Sequence, residues 1–172
     1  FAILTKDGWV KRIRQNNELE TTRLREGDSI SRAHSLSPID SVLVLTNFGN
    51  MYTIKVSQFP SSSGYGEPVQ KFLKFKDGEK IVDSFGVKAN QGLGLTDTLT
   101  HTLVGGEELI FFTKEGKGAK YKLDWGDGLK KNGKRLMKVR DGDIVTSVCK
   151  VAPRYLMVTK RGLGLIIPGA EV

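Results

Sequence analysis

The chain has 172 residues, 38% of them hydrophobic and 27% charged, a composition that excludes a disordered polypeptide. Its 27 Lys+Arg against 19 Asp+Glu leave a net charge of +8, which favours a polyanionic partner. One cysteine excludes a disulfide framework or a Cys-based zinc site, two histidines leave little for metal chemistry or a His-dependent triad, and no apolar run is long enough for a transmembrane helix.

The opening Phe1-Ala2-Ile3-Leu4-Thr5 reads as the edge of a strand and not as a signal peptide. It begins a signature of about four apolar residues, Thr, two residues and Gly. The signature occurs at Phe1–Gly8 and returns at Val42–Gly49, Leu109–Gly116 and Tyr155–Gly162. A second signature, reading apolar, basic, acidic, Gly, acidic, follows the first three copies at Leu24–Asp28, Phe75–Glu79 and Val139–Asp143. Two signatures recurring in one order define a unit of the size of a propeller blade. The units fall at about 1–40, 41–90, 107–154 and, in part, 155–172, with an insertion over 86–106 expected as a mobile loop or irregular connection. Each unit reads as β. The apolar run before Thr is rich in β-branched and aromatic residues and lacks a helical period, as in a strand buried on both faces. The Gly serves a hairpin turn, and the residues after it alternate as in a half-exposed strand. The predicted fold is all-β, a propeller-like repeat of four-stranded antiparallel blades in one domain.

Alignment on the turn glycine places the charge. Five residues after it stand Ile13, Ile54, Tyr121 and Ile167, predicted to face the core. Four and six residues after it stand Arg12 and Arg14, Thr53 and Lys55, Lys120 and Lys122, and Ile166 and Pro168, predicted to face outward. A row of cations thus recurs on the same strand of the first three units and fades at the fourth. Residues 114–140 add ten basic side chains against three acidic ones, and residues 6–25 add six against three. Spaced cations without a base-reading element suit phosphate contacts along a duplex. The candidate DNA-binding residues are Lys11, Arg12, Arg14, Lys55, Lys117, Lys120, Lys122, Lys130, Lys131, Lys134 and Arg135.

Gly8-Trp9-Val10-Lys11-Arg12 after an apolar strand, the run Ser61-Ser62-Ser63-Gly64-Tyr65-Gly66-Glu67-Pro68 after Phe59-Pro60, and Lys76-Asp77-Gly78-Glu79 resemble the C-terminal domain of bacterial type IIA topoisomerase A subunits. The resemblance covers almost the whole chain apart from the insertion. It implies a β-pinwheel, in which propeller-like blades exchange strands with their neighbours and duplex DNA bends around a basic outer rim. The family has five or six blades; three units and the opening hairpin of a fourth are present here. The box Gln-Arg-Arg-Gly-Gly-Lys-Gly, which the family ties to full wrapping of DNA by gyrase, has no intact copy in the sequence, so topoisomerase IV is the favoured kind over gyrase. By the same resemblance the chain is a bacterial cytoplasmic, non-catalytic module that needs no cofactor itself. Its partners would be the catalytic domains of the parent A subunit, together with an ATPase B subunit. ATP and Mg²⁺ would act elsewhere in the parent enzyme.

Other motifs read as structural. The pairs Gly64/Gly66, Gly92/Gly94, Gly116/Gly118 and Gly162/Gly164 lack the helix that a dinucleotide fingerprint requires. Tyr52, Tyr65, Tyr121 and Tyr155 lack a metal-binding acidic cluster. His34 and His101 lack ligand-spaced neighbours, Cys149 reads as a small core residue, and Trp9 as the cover of a blade edge. Trp125 offers an aromatic face, but binding through a duplex backbone calls for no base stacking. The alternative to a DNA-binding module is a propeller-like scaffold that binds an acidic protein.

Overall fold

Each Thr-x-x-Gly step closes a hairpin with the same two hydrogen bonds. The Gly N–H donates to the Thr carbonyl at Gly8, Gly49, Gly116 and Gly162. The N–H of the next residue donates to the Thr hydroxyl, at 3.0 Å for Trp9, 3.4 Å for Asn50, 3.3 Å for Lys117 and 3.1 Å for Leu163. All four glycines hold φ between +72° and +80°, a conformation that side chains with a Cβ avoid. The repeat therefore pairs a hydroxyl with a left-handed turn, which is why Thr and Gly recur together.

The second signature latches onto the first. Its acidic residue accepts from the turn in each unit: Asp28 Oδ1 from the N–H of Asp7 at 3.1 Å, and Asp143 Oδ1 from the N–H of Glu115 at 3.1 Å. In the second unit the longer Glu79 reaches past the turn. Its oxygens accept from the Thr46 hydroxyl (2.6 Å), Asn50 Nδ2 (2.8 Å), the Tyr52 hydroxyl (2.9 Å) and the N–H of Lys76 (2.9 Å).

The computed structural model describes residues 1–14, 19–89, 102–103, 107–123 and 132–171. Among them the strands are β1 (Ala2–Thr5), β2 (Trp9–Arg12), β3 (Ile30–His34), β4 (Ser41–Thr46), β5 (Asn50–Lys55), β6 (Glu67–Pro68), β7 (Ile81–Val87), β8 (Thr102–Leu103), β9 (Glu108–Thr113), β10 (Gly118–Lys122), β11 (Lys134–Arg135), β12 (Val145–Lys150), β13 (Arg154–Val158) and β14 (Gly164–Pro168). Short 3-10 turns lie at Val56–Gln58, Val69–Lys71 and Gly169–Glu171. The fold is all-β, as predicted.

The sheets run β3-β1-β2-β6, β11-β5-β4-β7-β8, β10-β9-β12 and β13-β14. Two of them borrow a strand from the following unit. β6 pairs antiparallel with β2, Trp9 opposite Pro68, and β11 pairs antiparallel with β5, Lys134 opposite Met51. Units in sequence and sheets in space are thus offset by one strand. The predicted insertion begins too early, because Gly86 and Val87 complete β7; most of the rest lies outside the described residues, and Thr102–Leu103 adds a parallel strand to Gly86–Val87.

Packing sets which faces are dry. Val42, Val44, Tyr52 and Ile54 of the second sheet pack with Ala2, Leu4 and Val10 of the first. Leu43, Leu45 and Met51, on its opposite face, pack with Leu109, Phe111 and Val148 of the third. The second sheet is therefore buried on both sides, and alternation along β5 does not separate wet from dry. Beyond the third sheet, Ile110 and Phe112 pack with Tyr155. Leu156, Val158 and Ile166 on the other face of the last hairpin are each more than 60% exposed.

The exchanged strands need glycine at their entry. Gly66 precedes β6 with φ +87°, and a Cβ there would meet the Val10 carbonyl oxygen. Gly133 precedes β11 with φ +75°, and a Cβ there would lie 2.5 Å from Tyr52 Cε1. Gly27 has φ +79° but nothing within 4 Å of that position. Gly27→Ala is expected to cost about 1–2 kcal/mol from backbone strain alone. Gly66→Ala is expected to cost roughly 1–3 kcal/mol more, because the Cβ runs into backbone. Thermal melts of the two variants side by side check this; equal losses would mean that the exchange strand yields without cost.

Candidate nucleic-acid interface

The cation row divides by position. Six residues after the turn glycine, Arg14, Lys55 and Lys122 all lie exposed, at or just past the ends of β2, β5 and β10. Four residues after it the prediction of an outward face fails in part. Thr53 is buried, because β5 is covered on both faces, and Arg12 is half-buried. Lys120 is exposed, yet its ammonium donates to the Gly169 carbonyl at 2.8 Å and ties the last hairpin to the third sheet. The core-facing prediction for the position between them fares better: Ile13 and Ile54 are buried, and Tyr121 and Ile167 half-buried.

Lys11 is a correction. Its side chain is 1% exposed, and Nζ donates to the carbonyls of Arg23 at 2.5 Å and Gly64 at 2.9 Å. Burial holds its pKa below the ordinary lysine value. An ammonium occupied by two carbonyls beneath the surface makes no phosphate contact; it fastens the 19–25 segment to the 61–66 loop. Three residues after the turn glycine and opposite Ile3, it lies on the same inward side as Ile13, so the alternation itself turns it away from the surface.

The remaining candidates fall into three groups. Lys117 pairs with Glu115 at 2.5 Å, so its charge is locally offset. Lys134 donates to the Tyr121 hydroxyl at 2.8 Å and lies over that ring, half-buried, while its neighbour Arg135 is exposed. Lys130 and Lys131 lie outside the described residues, as do Trp125 and His101. Arg23 stands outside the turn-aligned row. It is exposed and lines a concavity with Arg12 and Arg14, and its signal was only a third arginine in a short basic stretch.

The residues set aside in the sequence occupy structural positions. The Tyr155 hydroxyl accepts from the N–H of Ala152 at 2.7 Å, and burial together with the Glu79 hydrogen bond pushes the Tyr52 pKa up to about 12. His34 Nε2 lies 2.9 Å from the Ser84 hydroxyl in a buried pair, and Arg25 stacks 4.8 Å over the Trp9 ring. Among the described residues no group of three or more His, Cys, Asp or Glu is placed to hold a metal ion, and no helix is long and apolar enough to cross a membrane.

Known proteins resemble the chain in both sequence and fold. It is 24% identical over 156 residues to the DNA gyrase A subunit of Streptococcus pyogenes serotype M3, an alignment covering 84% of this chain and 17% of that protein. It is 23% identical over 171 residues to the DNA topoisomerase 4 A subunit of Caulobacter vibrioides, covering 99% of this chain and 20% of that one. The chain thus spans about a fifth of the length of these relatives. In fold it is similar to a crystal structure of the C-terminal domain of DNA topoisomerase IV, with a TM-score of 0.78 at 19% identity over 99% of this chain and 52% of that one. The family described as "DNA gyrase C-terminal domain, beta-propeller" matches residues 40–88, 107–124 and 128–148, just over half of the sequence. These stretches carry the second and third turn signatures, their acidic latches and the exchanged strand β11, and on them the chain belongs to the DNA gyrase C-terminal domain family.

Proposed function

We propose that the chain is a non-catalytic module that binds and bends duplex DNA for a bacterial type IIA topoisomerase. It reads no sequence and presents DNA on the edge marked by Arg14, Lys55 and Lys122. The observation that carries the reading is the recurrence of an exposed cation at one position of three successive units, within a family of gyrase domains. No described helix is available to enter a major groove, so contacts along the phosphates fit the surface better than base readout. Arg135 adds an exposed cation on the exchanged strand β11, opposite Asn50 at the other end of β5 from Lys55. The parent protein would be an A subunit of topoisomerase IV or gyrase, with cleavage chemistry in its upstream domains, ATP hydrolysis in a B subunit, and Mg²⁺ used there. The lack of an intact gyrase box in these residues favours the topoisomerase IV kind, and the bacterial relatives favour a place in the cytoplasm on the nucleoid.

Titration with random-sequence duplexes at several salt concentrations tests the reading. Affinity should fall steeply with salt, with a log–log slope of about −0.9 for each phosphate neutralised, and should vary little among sequences. Incubation with supercoiled plasmid and magnesium should give neither nicking nor a covalent tyrosine adduct. Binding that is flat in salt, or that tracks one sequence, overturns the reading. Retention of an acidic protein without DNA binding would favour the scaffold alternative.

A further inference from the structure

Among the described residues, a concavity of about 400 Å³ opens where the first unit meets the loop of the second. Its lining brings together Arg12, Arg14 and Arg23 with two threonines at 21 and 22 and three serines at 61–63, and includes no carboxylate among the described residues. None of the three guanidinium groups takes part in an ion pair among the described residues. The two halves come from segments far apart in sequence, and the backbone locks them together. The Arg12 N–H donates to the Pro60 carbonyl at 2.8 Å, Arg12 and Ser61 form a parallel bridge, and Lys11 joins the carbonyls of Arg23 and Gly64 from below. The Ser62 hydroxyl accepts from the N–H of Gly64 at 3.0 Å, which leaves its own hydrogen free to donate. Surface arginines kept apart merely confer solubility. Three that share one concavity with five hydroxyls, and with no acid among the described lining residues, form a donor-rich surface.

We infer that this concavity is a phosphate seat, in which the three arginines and the flanking hydroxyls hold a phosphate group of the bound polyanion. Guanidinium groups suit the task because their planar forks meet the two non-bridging phosphate oxygens together, and the hydroxyls supply further donors to the same oxygens. The inference rests on the DNA-binding reading for the source of that phosphate. It adds a fixed anchor point to what is otherwise a row of separated cations. A backbone phosphodiester and a free polyphosphate present the same chemistry, and the test separates them.

Tripolyphosphate is titrated into the parent chain and into Arg23→Gln by calorimetry, and both proteins are then titrated with a random-sequence duplex at several salt concentrations. Circular dichroism confirms folding; if Arg23→Gln does not fold, Arg14→Gln, at an exposed position past the end of β2, carries the same comparison. Lys160→Gln, at the exposed turn of the last hairpin, serves as the charge-matched control. The expected result is saturable tripolyphosphate binding by the parent, weakened at least fivefold by Arg23→Gln and unchanged by Lys160→Gln. The duplex salt slope should fall by about one unit in Arg23→Gln. Equal tripolyphosphate binding by the parent and Arg23→Gln, or equal weakening by Lys160→Gln, overturns the seat even if DNA binding stands. Arg23-dependent tripolyphosphate binding by a protein that does not bind duplex DNA sustains the seat and overturns the DNA reading. Arg23-dependent tripolyphosphate binding with an unaltered duplex slope assigns the seat to a free polyphosphate and overturns its role as a DNA anchor.

Discussion

Glu79→Ala should lower stability by about 3–5 kcal/mol, an effect as large as breaking a buried charged network commonly produces. Glu79 is 5% exposed and accepts from Thr46, Asn50, Tyr52 and the Lys76 N–H. Truncation takes the acceptor from Asn50 Nδ2 and leaves the Thr46 and Tyr52 hydroxyls only 3.4 Å contacts to the Asn50 and Lys74 carbonyls, and each unsatisfied buried group costs about 1–3 kcal/mol. At roughly 2–4 °C per kcal/mol for a chain of this size, the melting temperature should drop by about 10 °C. Acid offers a second reading of the same network. Burial raises the carboxyl's pKa, but the hydrogen bonds from Lys76, Thr46, Asn50 and Tyr52 outweigh it and hold the group below its ordinary value. A carboxyl whose folded pKa is depressed contributes stability above its unfolded pKa, and that contribution disappears as pH falls through the folded one. The parent should therefore lose this contribution below about pH 4, whereas Glu79→Gln should lack that part of the acid dependence. At the alkaline end the sign reverses. The Tyr52 pKa is raised to about 12, so the neutral phenol contributes stability that is complete below its unfolded value of about 10 and lost as pH rises towards 12. Melting curves of parent, Glu79→Gln and Tyr52→Phe across pH measure both limbs. An acid limb identical in parent and Glu79→Gln would show that the network does not couple to folding.

The triple variant Arg14→Gln, Lys55→Gln, Lys122→Gln should reduce the salt slope of duplex binding by about three units, one for each phosphate contact removed. Affinity near 0.1 M salt should fall by roughly tens of fold, uniformly across sequences. The three side chains are exposed, so each substitution should alter stability by no more than about 0.5 kcal/mol. Lys120→Gln makes the contrast. Its ammonium holds the Gly169 carbonyl, so its loss should loosen the last hairpin and change the salt slope less than Lys122→Gln does. Affinity, bend angle by fluorescence transfer and melting temperature on the same proteins separate the two kinds of effect. A triple variant with the parental slope would place the DNA path on another edge.

The turn architecture was legible in the sequence because it is local: Thr46, Gly49 and Glu79 carry out in space what their recurrence implies. Burial on the second strand was less legible. Alternation assigns Thr53 and Lys55 to one face, and so it does, but that face packs on the third sheet until the strand ends, leaving Lys55 wet and Thr53 dry. Lys11 was misread against the alternation, which puts it on the same side as Ile13, beneath the loops of residues 23 and 64. The exchanged strands β6 and β11 are two residues each, too short for any periodicity to register. A signal for them was nonetheless present: Gly66 and Gly133 each stand 17 residues after the turn glycines Gly49 and Gly116. Arg23 carried no such spacing, and only the folded loop brings it beside Arg12 and Ser61.

Strand exchange also has a consequence for synthesis. The first sheet lacks its outer strand until Glu67 and Pro68 have emerged to meet Val10 and Trp9, and the second waits for Lys134 and Arg135 to meet Met51 and Asn50. A nascent chain leaving the ribosome at about 5–20 residues per second therefore holds the outer edge of β2, and later that of β5, unpaired for several seconds. During that interval an exposed edge is open to pairing with any other extended segment, including the same edge of a neighbouring nascent chain on one polysome. Pro68 bears on this hazard. A proline offers no N–H to a further strand, so the piece that closes the first sheet is itself a poor template for continuing it.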